Sequence, residues 1–358
     1  MRSALALGRR ALGSTWPNPA VGCVIVRSEA EGPRIIGRGW TQPGGRPHAE
    51  TQALLQAGPL ARGATAYVTL EPCSHHGRTG PCADALARAG VGRVVGAIRD
   101  PDPRVSGRGF HMLRSYGLAV HEGTCQEEAG DANLGHFTRI LRGRPTVTLK
   151  MALSADRKLT GSGGRPVRIT GPEATARVHL LRSQSDAVAI GIGTALSDDP
   201  LLTVRLPGLT ASRPVRIVLD SSLRLPPASR LVAGARESPV WVVAEESAAP
   251  EREAALRGAG VEVLRVPGAA GRLDLGAALR RLAGEGLTRI LVEAGPTLAR
   301  ALAAHDLVDE AILFLSPDPI GEGVDAFDAE TRDRLRVRLP RLATRPVGRD
   351  MMTTLRRS

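Results

Sequence analysis

Two separate series of short apolar runs, each alternating with helix-patterned segments, restrict the fold of this chain more than any other feature. In the first series, residues 21–26 form a continuous apolar run of the buried-strand type, and 48–57 have helical spacing that stops at Gly58-Pro59. Residues 66–70 read as a strand, 81–89 as a helix ended by Gly90, 94–98 as a strand and 109–116 as a helix. Alternation of this kind implies helices packed on a largely parallel sheet. Residues 122–145 are polar, helical at most, and end in Arg142-Gly143-Arg144-Pro145, a linker signal. A second series follows, with strands expected over 146–153, 186–190, 215–219, 240–243, 261–266, 289–292 and 310–315. Its helices are expected over 172–182, 251–258, 274–283 and 296–304. The chain is read as two α/β domains, 1–144 and 145–358, and 358 residues are enough for a buried core in each.

No apolar run approaches the roughly 20 residues of a membrane-spanning helix. Residues 2–12 hold only a five-residue apolar stretch, cut by Arg9 and Arg10. That is too short for a secretory signal, so we expect an amphipathic helix there and a cytoplasmic protein without a membrane partner. The four cysteines, Cys23, Cys73, Cys82 and Cys125, then point to metal ligation or burial rather than disulfides. A net charge of +12 raises the question of nucleic acid. The excess is spread, with 18 basic and 11 acidic residues in 1–144 and 30 and 25 in the rest. Aromatics are 3 %, too few to stack unpaired bases. A basic nucleic-acid-binding module with a structural zinc is therefore set aside. The charge reads as a solvated surface that suits a phosphorylated small molecule. Basic positions are almost all arginine; the two lysines are Lys150 and Lys158.

Three short segments carry metal chemistry: Pro47-His48-Ala49-Glu50 at a helix start, Glu71-Pro72-Cys73 after a strand, and Pro81-Cys82 at a second helix start, with Pro81 suited to the first turn. One imidazole and two thiolates suit Zn²⁺, and three protein ligands leave the fourth tetrahedral position to water. Water bound there acidifies from about 15.7 to about 7. Glu50 is assigned the proton transfers, from the bound water to a ring nitrogen and on to the departing amine. Residues two apart lie about 200° apart on a helix, so His48 and Glu50 share a site only in its first turn, where the sequence puts them. Zinc nucleobase deaminases pair His-x-Glu with Pro-Cys-x-x-Cys. Here eight residues separate Cys73 from Cys82, so the nucleic-acid-editing type does not match. The insert 74–81 is rich in donors for an anionic substrate; His75 and His76 are weaker alternative ligands, and Cys23 and Cys125 are expected to be buried, inert thiols.

These residues resemble the bacterial bifunctional riboflavin-biosynthesis deaminase–reductase family. The resemblance runs through Trp16-Pro17-Asn18-Pro19-Ala20-Val21-Gly22-Cys23-Val24, residues 44–50, and Thr69-Leu70-Glu71-Pro72-Cys73-Ser74-His75-His76-Gly77-Arg78-Thr79 to Cys82. In the second half it rests on Lys150-Met151-Ala152, Ile169-Thr170-Gly171-Pro172, Leu181-Arg182, residues 193–200, Leu202-Thr203-Val204-Arg205 and Val292-Glu293-Ala294-Gly295-Pro296-Thr297. It implies an α/β architecture: a cytidine-deaminase-like three-layer domain followed by a dihydrofolate-reductase-like domain that uses NADPH. It also implies deamination of 2,5-diamino-6-(5-phosphoribosylamino)pyrimidin-4(3H)-one and reduction of the product's ribosyl group to ribityl. By position, His48, Cys73 and Cys82 would hold zinc and Glu50 would shuttle protons. Asn18, Arg182, Leu202, Arg205 and Glu293 would meet substrate. Ala152, Arg168, Thr194, Asp198, Ser221, Gly295, Pro296 and Thr297 would meet NADPH. A homo-oligomer formed through the reductase domain is compatible with this reading.

Read without the resemblance, the second half says less. A helix start at Gly295-Pro296 can hold a pyrophosphate or be a plain Gly-Pro turn, and no G-x-G-x-x-G fingerprint is present. Arg182 and Arg205 suit a phosphate. Lys150, a lysine ending an inner strand in an arginine-rich chain, points to a need for a compact ammonium at the substrate. Departures from the family pattern are Pro166 for Ser, Arg168 for Trp, Arg157 for Gly, and Asp318-Pro319-Ile320-Gly321-Glu322-Gly323 for a more apolar turn. They leave a second expectation open, that of a deaminase whose degenerate reductase-like half holds substrate or mediates dimerisation.

Overall fold

Helix Leu134–Arg142 ends on Gly143 in the left-handed conformation, and Pro145 cannot extend it. The chain divides there, and a computed structural model gives two compact units, Met1–Gly143 and Arg144–Ser358. The structure describes residues 1–76, 80–164, 167–269 and 271–357.

The first unit has strands β1 (Gly22–Glu29), β2 (Gly32–Trp40), β3 (Thr65–Val68), β4 (Arg93–Gly96) and β5 (Ala119–His121). Its helices are α1 (Arg2–Gly8), α2 (Ala49–Ala57), α3 (Cys82–Arg88), α4 (Arg108–Ser115), α5 (Gln126–Ala132) and α6 (Leu134–Arg142). The sheet order is β2-β1-β3-β4-β5. Cys23 and Ile25 of β1 pack with Ala49 and Ala53 of α2, Leu86 of α3 and Phe110 of α4 on one face. Leu5 of α1 and Ala129 of α5 pack with Ala97 in a second cluster.

The expectation of a largely parallel sheet is corrected here. Strand β1 is antiparallel to both β2 and β3, and only β3, β4 and β5 run parallel. The connection from Glu29 to Gly32 is too short for a crossover helix, so β1 and β2 must form a hairpin. Strand β2 also seats α2. A Cβ at Gly39 would lie 2.1 Å from the Ala49 carbonyl, so the start of α2 lies directly on the strand backbone.

The second unit contains β6 (Thr146–Leu153), β7 (Lys158–Gly161), β8 (Ala187–Gly191), β9 (Val215–Leu219), β10 (Val240–Glu245), β11 (Glu262–Val266), β12 (Gly268–Ala269), β13 (Arg272–Leu273), β14 (Arg289–Glu293), β15 (Glu310–Leu315), β16 (Gly323–Asp325), β17 (Arg341–Val347) and β18 (Asp350–Arg356). Its helices are α7 (Pro172–Ser183), α8 (Ile192–Asp198), α9 (Arg230–Ala233), α10 (Pro250–Gly258), α11 (Leu275–Gly284), α12 (Pro296–Ala304) and α13 (Ala329–Arg338). Nine strands form one sheet in the order β11-β10-β9-β8-β14-β6-β15-β18-β17. The first seven of these run parallel, and the hairpin β17–β18 is antiparallel. Binding crevices of such sheets lie at the carboxyl ends of the parallel strands. No described helix is long and apolar enough to cross a membrane.

Candidate functional site

In the first unit, His48 is the N-cap of α2, in extended backbone, and Cys82 is the first residue of α3. Pro81 is the N-cap of α3 rather than part of its first turn. The His48 Nδ1 lies 3.2 Å from Cys82 Sγ and 3.7 Å from Cys73 Sγ. Among the described residues these three form a candidate metal cluster, with all ligand atoms within 4.8 Å of one another. Bonds of about 2.1 and 2.3 Å at a tetrahedral angle put nitrogen and sulfur about 3.6 Å apart, so the set fits Zn²⁺. The backbone N–H of Cys82 donates to Cys73 Sγ at 3.2 Å. Hydrogen bonding from Cys82, aided by His48, holds the Cys73 thiol down at about 4. The same contact, together with burial, pushes Cys82 up. His48 is raised, chiefly by its hydrogen bond to Cys73. Glu50, in the first turn of α2 and 3 % exposed, is pushed to about 7 by burial, with Cys73 adding and His48 opposing.

The Cys73 loop is anchored by Glu71, whose anchoring role the sequence does not reveal. Its buried carboxylate accepts N–H groups from Gly109 at 2.8 Å, Gly107 at 2.9 Å and Asp100 at 3.3 Å, which ties the loop to the start of α4. Asn18 lies against the loop before His48: Gly44 donates to the Ser14 carbonyl, and a Cβ at Gly45 would meet Asn18 Nδ2 at 1.9 Å. Gly45 is also left-handed, so only glycine fits. Of the insert, Gly77-Arg78-Thr79 lies outside the described residues. Cys23 is buried and its thiol raised by burial. Cys125, expected to be buried, is half-buried because it caps α5 in the left-handed conformation.

In the second unit, a buried carboxylate gathers cations. Glu293, the last residue of β14, receives Arg182 in a two-pronged pair at 2.6 and 3.1 Å, and Lys150 Nζ lies 3.8 Å away. Lys150 does not end its strand. It sits inside β6, in register with Glu293. Burial would raise Glu293, but the Arg182 and Lys150 charges win and hold it at about 2. Arg182 also donates to the Thr203 carbonyl at 2.9 Å. Arg205 donates to the Thr203 hydroxyl, and its backbone N–H reaches His179 Nδ1 at 3.3 Å. His179 is lowered by burial and by the charges of Arg182 and Arg205. Leu202, between these contacts, is left-handed at φ +54° and buried. Thr203 stands in a run that carries the family resemblance, without a role of its own there, and no sequence signal singles out His179.

The residues expected at a dinucleotide lie mostly along one edge. Ala152, Gly191–Thr194, Ser221 and Gly295–Thr297 stand at or just beyond the carboxyl ends of β6, β8, β9 and β14, four neighbouring strands. A Cβ at Gly295 would lie 3.6 Å from Thr194 Oγ1, so the turns before α8 and α12 adjoin. Neither helix start has a side-chain cap, which leaves N–H donors for phosphate. Asp198 ends α8, exposed, with the Ser197 hydroxyl donating to it. The Ser221 hydroxyl donates to the Gly271 carbonyl. Arg168 is exposed ahead of α7, and Pro166 lies outside the described residues. Arg157 is left-handed at φ +64°, which explains why glycine suits that position. The turn 318–323 is held by Asp156, which accepts from Ile320 and Gly321.

Residues 1–98 match the cytidine and deoxycytidylate deaminase zinc-binding region, and residues 145–352 match the RibD C-terminal domain. The riboflavin biosynthesis protein RibD of Escherichia coli K12 is 42 % identical over 332 residues, covering 90 % of this chain and 88 % of that protein. The chain belongs to the RibD family. The RibD protein of Aquifex aeolicus is 39 % identical over 100 % of this chain and 97 % of its own. Among solved structures, Acinetobacter baumannii RibD superposes with a TM-score of 0.86 at 36 % identity, covering 100 % of this chain and 97 % of that one. A diaminohydroxyphosphoribosylaminopyrimidine deaminase/5-amino-6-(5-phosphoribosylamino)uracil reductase from Thermotoga maritima gives 0.84 at 31 %, with the same coverage. RibD enzymes join a zinc-dependent deaminase to an NADPH-dependent reductase in riboflavin biosynthesis, and this chain has both parts, a cytidine-deaminase-like domain followed by a RibD reductase domain.

Proposed function

We propose that residues 1–144 deaminate 2,5-diamino-6-(5-phosphoribosylamino)pyrimidin-4(3H)-one and that residues 145–358 reduce the ribosyl group of the product to ribityl. The observation that carries the first half is the convergence of His48, Cys73 and Cys82 beside the buried carboxyl of Glu50. Those three residues would hold the zinc, which when bound lowers the pKa of a water at its open position to about 7 and so supplies a nucleophile at neutral pH. Glu50 takes one proton of the attacking water and gives it to the adjacent ring nitrogen, then takes the second from the new hydroxyl as that becomes the carbonyl and delivers it to the amine, which departs as ammonia. A carboxyl near 7 can do both. Asn18, held between Gly45 and its own loop, orients the base by its amide.

In the second half, Arg205 binds the ribose phosphate with its guanidinium fork, while Arg182, whose fork is held by Glu293 and the Thr203 carbonyl, lends its positive charge to the same site. Glu293 fixes the fork of Arg182 and the ammonium of Lys150 beside the sugar, and Leu202 offers its backbone. NADPH supplies the hydride. Ala152, Arg168, Thr194, Asp198, Ser221 and Gly295, Pro296 and Thr297 would line its site. This reading places the protein in the cytoplasm, working on a phosphorylated small molecule with no nucleic-acid or membrane partner, and is compatible with a homo-oligomer formed through the second half.

Purified protein given the diaminopyrimidinone phosphate is expected to release ammonia with or without NADPH, and to oxidise NADPH once the deaminated product has formed. Ammonia release without NADPH oxidation would remove the second assignment. NADPH oxidation of supplied product without ammonia release from the substrate would remove the first.

A further inference from the structure

A buried guanidinium stands behind the loop that carries Leu202 and Arg205. Arg216 is the second residue of β9, between β8 and β10, and is 1 % exposed. Backbone carbonyls, rather than a carboxylate, receive its fork: Leu201 at 3.3 Å, Gly234 at 2.8 Å and Ser238 at 2.5 Å. Its Nε has no hydrogen-bond partner among the described residues. Valine or isoleucine would fill an inner-strand position of this kind without surrendering the hydration of a charge. The carbonyls that offset this cost come from two places: Gly234 and Ser238 bracket the turn after α9, and Leu201 opens the loop 201–205.

Packing alone does not hold that loop. A cavity of about 170 Å³ lies behind it, with Leu201, Thr203, Val204, Arg216, Gly234 and Ser238 in its wall. Across the loop, Arg182 grips the Thr203 carbonyl. The backbone is thus held at Leu201 by Arg216 and at Thr203 by Arg182, with the left-handed Leu202 between them. Leucine does not favour that conformation unaided; the burial of its side chain in the core and the two flanking hydrogen bonds hold it there.

We propose that Arg216 is a positioning residue for the reductase substrate: by anchoring the Leu201 carbonyl to the Gly234–Ser238 turn, it holds Leu202 and Arg205 where the phosphorylated sugar meets them. The inference rests on the reading of Leu202 and Arg205 as substrate contacts. Arg216 itself touches no substrate.

The test compares Arg216→Met, Arg216→Lys and Arg205→Met in the full chain, measuring KM for the deaminated substrate and the dissociation constant of NADPH by fluorescence. Arg216→Met is expected to raise KM about tenfold to a hundredfold while NADPH binding stays within about twofold. Arg216→Lys, whose ammonium reaches only part of the carbonyl set, is expected to fall between Met and the parent. If Arg205→Met raises KM but both Arg216 variants stay within about twofold of the parent, the positioning role is wrong. A parallel loss of NADPH and substrate binding in Arg216→Met would make the residue a plain structural anchor and overturn the proposal as well. If Arg205→Met leaves KM unchanged, the substrate reading of the loop fails, and the inference fails with it. Should Arg216→Met not bind NADPH at all for want of folding, the same two measurements on Arg216→Lys decide.

Discussion

Glu50 and Glu293 are both buried carboxyls, yet their surroundings move them in opposite directions. Lost hydration raises Glu50 to about 7, which brings it into the range where a carboxyl exchanges protons near neutrality. Glu50→Gln keeps the volume but cannot carry the proton. We expect this variant to retain zinc by metal analysis, because the three ligands are untouched, and to lose ammonia release by about 10²- to 10⁴-fold. Zinc lost with the carboxyl would contradict the assignment. Glu293 is instead held at about 2 by Arg182 and Lys150. Since its folded value lies below the ordinary 4.5, the stability it contributes is complete above that pH and disappears as pH falls towards 2. Glu293→Gln leaves Arg182 and Lys150 uncompensated at pH 7, at a cost of about 3–5 kcal/mol. Urea melts of the parent and the variant should differ by that amount at neutral pH, and the gap should narrow below pH 4.5 and close only towards pH 2, as the parent's own carboxyl protonates. A gap that is constant with pH would show that the pair is not what stabilises this centre.

At the level of elements, α2 brings His48 and Glu50 to the cysteines only because β2 lets it approach. Gly39→Ala would place a methyl 2.1 Å from the Ala49 carbonyl, a backbone atom that cannot swing aside. We expect the N-terminal turn of α2 to be displaced, with the stability of the first unit lowered by about 1–3 kcal/mol. Deamination and zinc retention should fall together, while reduction of the deaminated substrate is unaffected. Retention of full deaminase activity would show that the contact is tolerated. Strand β2 is also one of the elements that sequence patterning overlooks. Its residues, Gly-Pro-Arg-Ile-Ile-Gly-Arg-Gly-Trp, interrupt the apolar signal with Gly37 and Gly39, which are needed for close packing rather than for turns. Strand β17 is overlooked for a different reason: its residues from Leu342 to Pro346 are exposed, so no period of two survives. By contrast, β6, β9 and β15 are mostly apolar, with only a few polar residues, and are read with their observed limits. The metal cluster was legible because imidazole and thiols recur at strand–helix junctions. Arg216 was not, since one guanidinium within an apolar strand carries no mark that distinguishes it from a surface arginine.

Taken whole, the molecule keeps its two chemistries on separate stretches of chain. His48, Glu50, Cys73, Cys82 and Asn18 lie within Met1–Gly143, and Lys150, Arg182, Arg205, Arg216 and Glu293 lie within Arg144–Ser358. Each unit has its own sheet and its own buried clusters, and the described contacts of the Arg182–Glu293 pair come from residues of the second unit. Ligation by two thiolates, in turn, makes zinc part of what fixes the Cys73 loop and the starts of α2 and α3. Chelation should therefore separate the activities. A strong zinc chelator is expected to abolish ammonia release and lower the stability of the first unit, while NADPH oxidation with pre-deaminated substrate stays within about twofold of its starting rate. Adding zinc back should restore deamination without altering the reductase rate. A reductase rate that fell and recovered in step with zinc would mean that the metal supports more than the unit that binds it, and the division of labour argued from the two separate folds would be wrong.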